Sequence, residues 1–167
     1  QRGEEELVVC YDLPTGKVLW SHADAAHYNT IIAGEGPRAT PTIQSNRVFT
    51  LGGTGMLNCL DLETGTRVWS KDIIKDNGAK VNGWGMSGSP LLLDQWVVVN
   101  PGGPNGRSLV AYDAVTGDFV WGGGNAGADY SSPFPATLAG VRQILIFTSR
   151  VSAHDVVSGK VLWDYPW

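Results

Sequence analysis

The sequence predicts an all-β repeat protein whose short antiparallel strands form successive four-stranded blades. The first observation is an eleven-residue pattern that occurs four times: a small residue, any residue, Asp, two variable residues, Thr or Ser, Gly, three variable residues and Trp. The second is the interval of 42 to 52 residues between copies, which is typical of propeller blades and other repeat arrays. The third is a composition with 22 glycines, 9 prolines and only 17% charged residues, which favours turns over long helices. The closing tryptophans of the pattern are Trp20, Trp69, Trp121 and Trp163.

The repeated pattern predicts a tight β-hairpin. Each Asp ends a strand-like run, and its carboxylate can accept hydrogen bonds from backbone N–H groups two or three residues later. Each Gly supplies the positive φ that a short hairpin loop needs. The β-prone segment after the Gly then pairs back on the preceding strand and buries an indole at its end. The aspartates are Asp12, Asp61, Asp113 and Asp155, and the glycines are Gly16, Gly65, Gly117 and Gly159.

Taken in order, the single domain over residues 1–167 contains half a blade and three whole ones. Residues 6–20 hold only one hairpin of blade one, whereas 40–69, 89–121 and 132–163 each contain four short strand patterns. The connector at 70–88 has helical character over 71–80, but Asn77-Gly78 limits it to at most one turn. Each whole blade opens with a Pro. Proline has no backbone N–H, but at the first residue of a strand this breaks no hydrogen bond between strands. These openings are Thr40-Pro41, Ser89-Pro90 and Ser132-Pro133.

An arc of three and a half blades does not close a ring, and it leaves apolar blade faces uncovered. We therefore expect that the chain is part of a larger propeller, whose other blades cover these faces, or that a second copy associates with it. Gln1 does not begin a signal peptide, which favours a mature or excised piece of a longer protein.

Charge and hydropathy argue against two kinds of partner. The net charge is −4 and no cluster of Lys and Arg is present, which argues against nucleic acid. No apolar run approaches the roughly 18–20 residues of a membrane-spanning helix. Cys10 and Cys59 occupy the same repeat position in successive blades. We expect them to be too far apart for a disulfide and to act as small buried side chains.

The repeated pattern resembles the tryptophan-docking motif of the PQQ-like quinoprotein β-propellers, and it covers the chain apart from its ends. The offset from Asp to Trp is eight residues in every copy. Kelch repeats share the double glycine at Gly52-Gly53 but have a shorter spacing to Trp, and WD40 repeats end in a Trp-Asp pair that only Trp163-Asp164 offers. The resemblance implies seven or eight blades in the complete ring and a Trp from each blade packed on the next. It also implies a bacterial, periplasmic or otherwise extracytoplasmic location.

The same resemblance implies an enzymatic alternative, a fragment of a PQQ-dependent quinoprotein dehydrogenase with the quinone and calcium in its central channel. Such enzymes place a disulfide between adjacent cysteines against the cofactor, which Cys10 and Cys59 do not provide. Calcium prefers about six to eight oxygen ligands, and no suitable set of Glu, Asn and Asp stands out in the sequence. We therefore expect no cofactor in this segment, and PQQ with calcium is implied only by the resemblance.

Three further patterns are interpreted as structural. The G-x-G-x-x-G match at 122–127 is followed by two prolines within 128–135, and no helix follows that could present its N-terminus to a phosphate. His22 and His27 are expected to be exposed loop residues, and His154 lies in a distant blade, so the histidines make a poor metal site. The repeat aspartates are engaged by their own turns and, at one per blade, do not converge on one ion.

The remaining candidate site lies just before the proline column. Arg38, Ser87 and Tyr130 each stand three residues before a blade-opening Pro, so we expect them to cluster near one mouth of the central channel. Trp84, in the segment Asn82-Gly83-Trp84-Gly85, offers a flat platform nearby. These four residues form the predicted ligand- or partner-binding site, and no catalytic or metal-ligating residue is assigned. The predicted function is a non-enzymatic scaffold or binding module that recognises a protein, peptide or carbohydrate.

Overall fold

The computed structural model describes residues 1–166, which form three four-stranded antiparallel sheets and two two-stranded ones. In each four-stranded sheet the strands follow one another in chain order from one edge to the other.

Blade one consists of β1 (Glu6–Tyr11) and β2 (Val18–Asp24), and a small hairpin of β3 (Asn29–Thr30) and β4 (Gly34–Glu35) follows. Blade two consists of β5 (Thr42–Gln44), β6 (Arg47–Leu51), β7 (Met56–Asp61) and β8 (Arg67–Asp72), and the single turn of helix α1 (Ile73–Asp76) follows it. Blade three consists of β9 (Leu91–Leu93), β10 (Trp96–Val99), β11 (Leu109–Asp113) and β12 (Phe119–Gly123), and blade four of β13 (Phe134–Leu138), β14 (Val141–Phe147), β15 (Arg150–Asp155) and β16 (Val161–Pro166).

The repeated Asp-to-Gly segment forms the hairpin turn between the third and fourth strands of each whole blade. In blade two, Asp61 Oδ1 accepts hydrogen bonds from the backbone N–H groups of Glu63 at 3.1 Å and Thr64 at 3.0 Å. Gly65 then takes a φ of 69°, and its N–H donates to the Asp61 carbonyl at 2.9 Å. These carboxylate bonds lower the pKa of Asp61 below its ordinary value, with the Thr64 hydroxyl as the largest contributor. The turn is therefore held by local contacts that any copy of the pattern can make.

Two apolar clusters fill the spaces between neighbouring blades. The first lies between blades two and three and includes Phe49, Leu57 and Trp69 on one side and Val97 and Val110 on the other. The second lies between blades three and four, where Leu109, Val98 and Trp121 face Ile144 and Ile146. Most of these side chains are less than 5% exposed. The apolar core is thus divided among the blade interfaces, as expected for a structure in which each repeat buries surface mainly on its neighbour.

Each of the first three repeat tryptophans packs on the repeat glycine of the following blade. A Cβ placed on Gly65 would lie 2.4 Å from the Trp20 indole, and the equivalent distances are 2.8 Å from Gly117 to Trp69 and 2.3 Å from Gly159 to Trp121. The indole N–H of Trp20 also donates to the Leu62 carbonyl at 2.9 Å, and that of Trp69 donates to the Ala114 carbonyl at 3.2 Å. Glycine is therefore required at these positions for close approach as well as for backbone conformation.

The architecture confirms the predicted all-β blade fold, including a single helical turn after blade two. Two local expectations were wrong. The first hairpin, predicted to end at residue 20, is longer, because β2 continues pairing with β1 as far as Asp24. Cys10 is only half-buried, whereas Cys59 is fully buried, because blade one has just two strands among the described residues. Both cysteines are free, as expected.

Candidate functional site

The connectors between blades and the loops after each second strand lie on one side of the molecule, which we call the connector face. The opposite side carries the Asp-to-Gly turns and is called the turn face. This division follows from antiparallel order, because every strand reverses the direction of the one before it. Residues 25–41, 52–55, 73–90, 100–108 and 124–133 belong to the connector face.

The starts of successive blades are tied together on the connector face. The backbone N–H of Thr40 donates to Ser89 Oγ at 2.9 Å, and the N–H of Ser89 in turn donates to Ser132 Oγ at 2.8 Å. The Thr42 hydroxyl adds a bond to the Pro90 carbonyl at 2.6 Å. The Ser or Thr before each blade-opening Pro therefore links one blade to the next, and this fixes the spacing of the connectors that precede it.

Trp84 and Tyr130 form an exposed aromatic stack on this face. Their ring centroids are 5.1 Å apart and the ring planes are inclined by 26°. Trp84 is 47% exposed and Tyr130 is 40% exposed, although both are large amphipathic side chains. The Ser87 hydroxyl donates to the Tyr130 carbonyl at 3.3 Å and so connects the two loops again. Two connectors from different blades thus present one continuous aromatic surface to solvent.

Tyr28 holds the loop that carries Trp84. Its hydroxyl donates to the Gly83 carbonyl at 2.8 Å and lies 3.1 Å from the Asn82 carbonyl. Its ring packs on Gly85, where φ is 79° and an added Cβ would lie 2.9 Å from the tyrosine ring. Glycine at 85 therefore allows both the turn and the close contact. The Trp84 loop is consequently anchored by a side chain from the connector after blade one.

Arg38 reaches the same group of residues through Tyr28. Its guanidinium carbon lies 5.3 Å from the centroid of the Tyr28 ring, within range of a cation–π interaction. Its terminal nitrogens donate to the carbonyls of Ala33 at 3.0 Å and Gly34 at 2.9 Å. Through these bonds the guanidinium stabilises the β3–β4 hairpin. Arg38 is accordingly placed as a support of the aromatic surface.

The structure therefore joins Arg38, Trp84, Ser87 and Tyr130 in one chain of contacts that passes through Tyr28. Sequence reasoning gave no role to Tyr28. The glycines on both sides of Trp84 were a usable signal, since they mark a tight loop that presents a large side chain. No local pattern marked Tyr28, because its partners at 82 and 83 lie more than 50 residues away in sequence. We call these five residues the aromatic site.

A buried acidic pair lies beside the aromatic site, between blades one and two. Glu6 is 3% exposed, and both of its carboxylate oxygens lie 3.1 Å from the backbone nitrogen of Gly53. Burial raises the pKa of Glu6, the Gly53 N–H lowers it, and the nearby Asp24 carboxylate raises it further. Asp24 accepts a hydrogen bond from the Asn58 amide. A cavity of about 230 Å³ runs along β1 next to this pair.

The histidines occupy three separate environments. His22 was expected to be an exposed loop residue, but it lies on β2 with its side chain 12% exposed and 3.3 Å from Asp24. His27 is exposed and contacts the Gly3 carbonyl at 3.0 Å. His154 is buried on β15, where it contacts the Gly159 carbonyl at 2.9 Å, and burial lowers its pKa. Each ring therefore has a structural partner of its own.

The residues described do not fit a quinone and calcium site. Within residues 1–166, no three His, Cys, Asp or Glu side chains are grouped so that they could hold a metal ion. The aspartates of the repeat lie on the turn face, where Asp61, Asp113 and Asp155 are engaged by backbone N–H groups of their own turns. Across the same residues, no helix is both long and apolar enough to cross a membrane.

Comparison with known proteins gives a family match over nearly the whole chain. The model of a protein family described as outer membrane protein assembly factor BamB matches residues 4–167. A search of curated proteins found no match.

Solved structures with the same fold include a BamB protein and several dehydrogenases. BamB from Moraxella catarrhalis has a TM-score of 0.67 at 16% sequence identity, and the alignment covers 99% of this chain and 50% of that one. Quinohemoprotein alcohol dehydrogenase from Comamonas testosteroni has a TM-score of 0.65 at 17% identity, covering 96% of this chain and 32% of that one. A europium-containing methanol dehydrogenase has a TM-score of 0.63 at 16% identity, covering 96% and 38%. The chain thus spans half or less of each of these relatives, and at such identities the likeness concerns the fold.

Proposed function

Because the chain belongs to the PQQ-like β-propeller repeat family described as outer membrane protein assembly factor BamB, we propose that it is a non-enzymatic scaffold that binds a protein or peptide partner through the aromatic site. The family is described as an assembly factor, which favours a role in holding other proteins. The expected location is the periplasm or another extracytoplasmic compartment of a bacterium.

The observation that carries this proposal is the exposed stack of Trp84 on Tyr130. Tryptophan and tyrosine are enriched at the centres of protein interfaces, because each buries a large apolar area while keeping one polar group for a hydrogen bond. Here the stack is also held by contacts formed without a partner, since Tyr28 bonds to the Trp84 loop and Ser87 bonds to the backbone of Tyr130. A preordered aromatic surface loses less conformational entropy on binding than a mobile one.

A fragment of a quinoprotein dehydrogenase is the competing function. Its support is the fold shared with the alcohol and methanol dehydrogenases, whereas the donor groups of the described residues do not fit the quinone and calcium. Titration of the chain with pyrroloquinoline quinone and calcium separates the two functions. A saturable change in quinone absorbance together with a raised melting temperature would favour the dehydrogenase.

Partner binding is tested with peptides selected against the whole chain. Random peptides of about 12 residues are displayed on phage and selected on the immobilised protein, and the winning sequence is synthesised with a fluorescent label. We expect Trp84→Ala and Tyr130→Ala each to raise the dissociation constant at least about tenfold, the effect of losing an aromatic residue at an interface centre. Fluorescence anisotropy measures the constant.

Leu138→Ala is the matched control, because Leu138 is 44% exposed and lies at the turn-face end of β13. Its dissociation constant should stay within about twofold of the wild-type value. Selected peptides that bind the Trp84 and Tyr130 variants as tightly as the wild type would show that the aromatic site is not the binding surface. Circular dichroism of each variant checks that the fold is retained.

A further inference from the structure

A serine and a histidine are hydrogen-bonded at the junction between blades three and four. Ser152 Oγ lies 3.0 Å from His154 Nε2, and both residues are on β15, where side chains two positions apart share one face of the sheet. The other ring nitrogen, Nδ1, lies 2.9 Å from the Gly159 carbonyl oxygen. His154 is 1% exposed, and each of the two blades has four paired strands. The pair therefore lies inside a junction formed by two four-stranded blades.

The contacts of His154 assign the protons of the pair. A carbonyl oxygen only accepts hydrogen bonds, so Nδ1 carries a hydrogen and donates it to Gly159. Burial lowers the pKa of His154 below its ordinary value of 6.5, so the ring is neutral at pH 7 and Nε2 keeps its lone pair. The Ser152 hydroxyl must then donate to Nε2. In this arrangement an imidazole can take the proton from a serine that attacks an electrophile.

Ser152 lines a cavity of about 570 Å³ between the two blades. Its side chain is partly exposed, whereas His154 behind it is buried. The charged side chains on the cavity, Arg150 and Asp164, form an ion pair with each other. The serine hydroxyl is thus reached from a space large enough for a small molecule, while the imidazole is shielded from water.

The loop at 124–127 brings backbone donors to the same cavity. A Cβ built on Gly124 would lie 3.0 Å from Cε1 and 3.6 Å from Nε2 of His154, so glycine allows the loop to lie against the ring. The backbone N–H groups of Asn125, Ala126 and Gly127 have no hydrogen-bond partner among residues 1–166. Unpaired N–H groups can stabilise the negative oxygen that forms when a serine attacks a carbonyl carbon. The cavity therefore combines a nucleophile, its base and donors for the oxyanion.

We propose that Ser152 is a nucleophile activated by His154, and that it is acylated by small esters that enter this cavity. Ser152 Oγ forms a bond to the ester carbonyl carbon while its proton passes to His154 Nε2. The bond from that carbon to the alcohol oxygen then breaks, and His154 gives the proton to the departing alcohol. The glycine, serine and alanine residues of the lining favour a short acyl group such as acetyl. One acyl group is transferred to each chain, so Ser152 is a modification site that goes beyond partner binding and needs no turnover.

The test is covalent labelling of the 167-residue chain with a fluorophosphonate probe, which reacts with activated serines as an ester does. The serine oxygen bonds to phosphorus, fluoride leaves, and the serine proton passes to the imidazole. The label stays in place, so mass spectrometry of proteolytic peptides locates it. We expect one label per chain, on Ser152. His154→Gln should slow this labelling at least about 100-fold, the usual contribution of a positioned general base.

Ser149→Ala is the matched control. Ser149 lines the same cavity and is more exposed than Ser152, but within residues 1–166 the histidines bond to other groups. The variant should be labelled on Ser152 at the wild-type rate. Trp84→Ala should also be labelled at the wild-type rate, because the aromatic site is separate from this cavity. A label on Ser149 in the wild type, with none on Ser152, would show that exposure alone decides reactivity and would overturn the proposal.

The pH dependence of the wild-type labelling rate tests the role of His154 even if His154→Gln does not fold. A serine without a base reacts through its alkoxide, so its rate rises in proportion to hydroxide concentration. A serine assisted by a neutral imidazole reacts at a rate that is constant above the pKa of that ring. We therefore expect a plateau from pH 7 to pH 9 and a fall at lower pH as His154 is protonated.

A wild-type chain that is properly folded by circular dichroism but takes no label on Ser152 would overturn the proposal. A labelling rate that rises steadily from pH 7 to pH 9 would also overturn it, because His154 would then not act as the base. Either result leaves peptide binding at the aromatic site unaffected. Loss of binding in Trp84→Ala with labelling retained would in turn leave this proposal standing, so the two proposals fail separately.

Discussion

At the scale of single residues, Glu6 shows how one buried carboxyl couples stability to pH. Its pKa is raised above the ordinary value of 4.5, chiefly because burial disfavours the charged form. A raised pKa in the folded state means that folding favours the protonated carboxyl. The stability that it contributes is therefore fully present below about pH 4.5 and is lost as the pH rises through the folded-state pKa.

Glu6→Gln removes this titration while keeping the size of the side chain and an oxygen to accept from Gly53. We expect the variant to melt at a higher temperature than the wild type at pH 7, and at nearly the same temperature at pH 4, where the wild-type carboxyl is protonated. Thermal unfolding followed by circular dichroism between pH 4 and pH 8 measures the difference. Glu35→Gln serves as the control, since Glu35 is exposed on β4. The melting temperatures of this variant and of the wild type should differ by the same amount at every pH. If the melting temperatures of Glu6→Gln and the wild type did not move further apart as the pH rises, this account would be contradicted.

At the scale of one hairpin, the repeat glycines carry two separate requirements, a positive φ and room for an indole. Gly117 has both, with a φ of 75° and Trp69 at 2.8 Å from an added Cβ, whereas Gly140 has a φ of 79° and open space. Gly117→Ala should therefore cost about 3 kcal/mol of unfolding free energy, from backbone strain together with displacement of Trp69. Gly140→Ala should cost only about 1 kcal/mol, from backbone strain alone. Urea denaturation of both variants measures the difference, and equal costs would show that the Trp69 contact adds no stability.

The hairpins were predictable from sequence because their causes are local. Asp61, Thr64 and Gly65 interact within four residues, so the pattern itself contains the information that sets the turn. The contacts of the connectors are of another kind. Tyr28 anchors the Trp84 loop across more than 50 residues, and the continuation of β2 to Asp24 depends on pairing with β1. Nothing in residues 21–39 alone indicates either contact, so sequence reasoning missed the side chain that holds the Trp84 loop.

At the scale of the whole molecule, stability is distributed unevenly along the row of blades. Blades two and three share the larger apolar cluster, and each of blades two to four has four paired strands. Blade one has only β1 and β2, and within residues 1–166 the far edge of β1 pairs with no other strand. In a repeat array each unit is stabilised mainly by its neighbours, so a short terminal unit is expected to open independently of the rest.

Hydrogen exchange tests this gradient. In the 167-residue chain, backbone amides of β1 and β2 should exchange at least about 100-fold faster than those of β7 and β11, because local opening of a two-stranded unit costs less free energy than global unfolding. Exchange followed by mass spectrometry of proteolytic fragments resolves the blades. Uniform protection across all four blades would mean that the chain unfolds as one cooperative unit, and that the contacts of Trp20 with Gly65 and Leu62 suffice to hold a two-stranded blade.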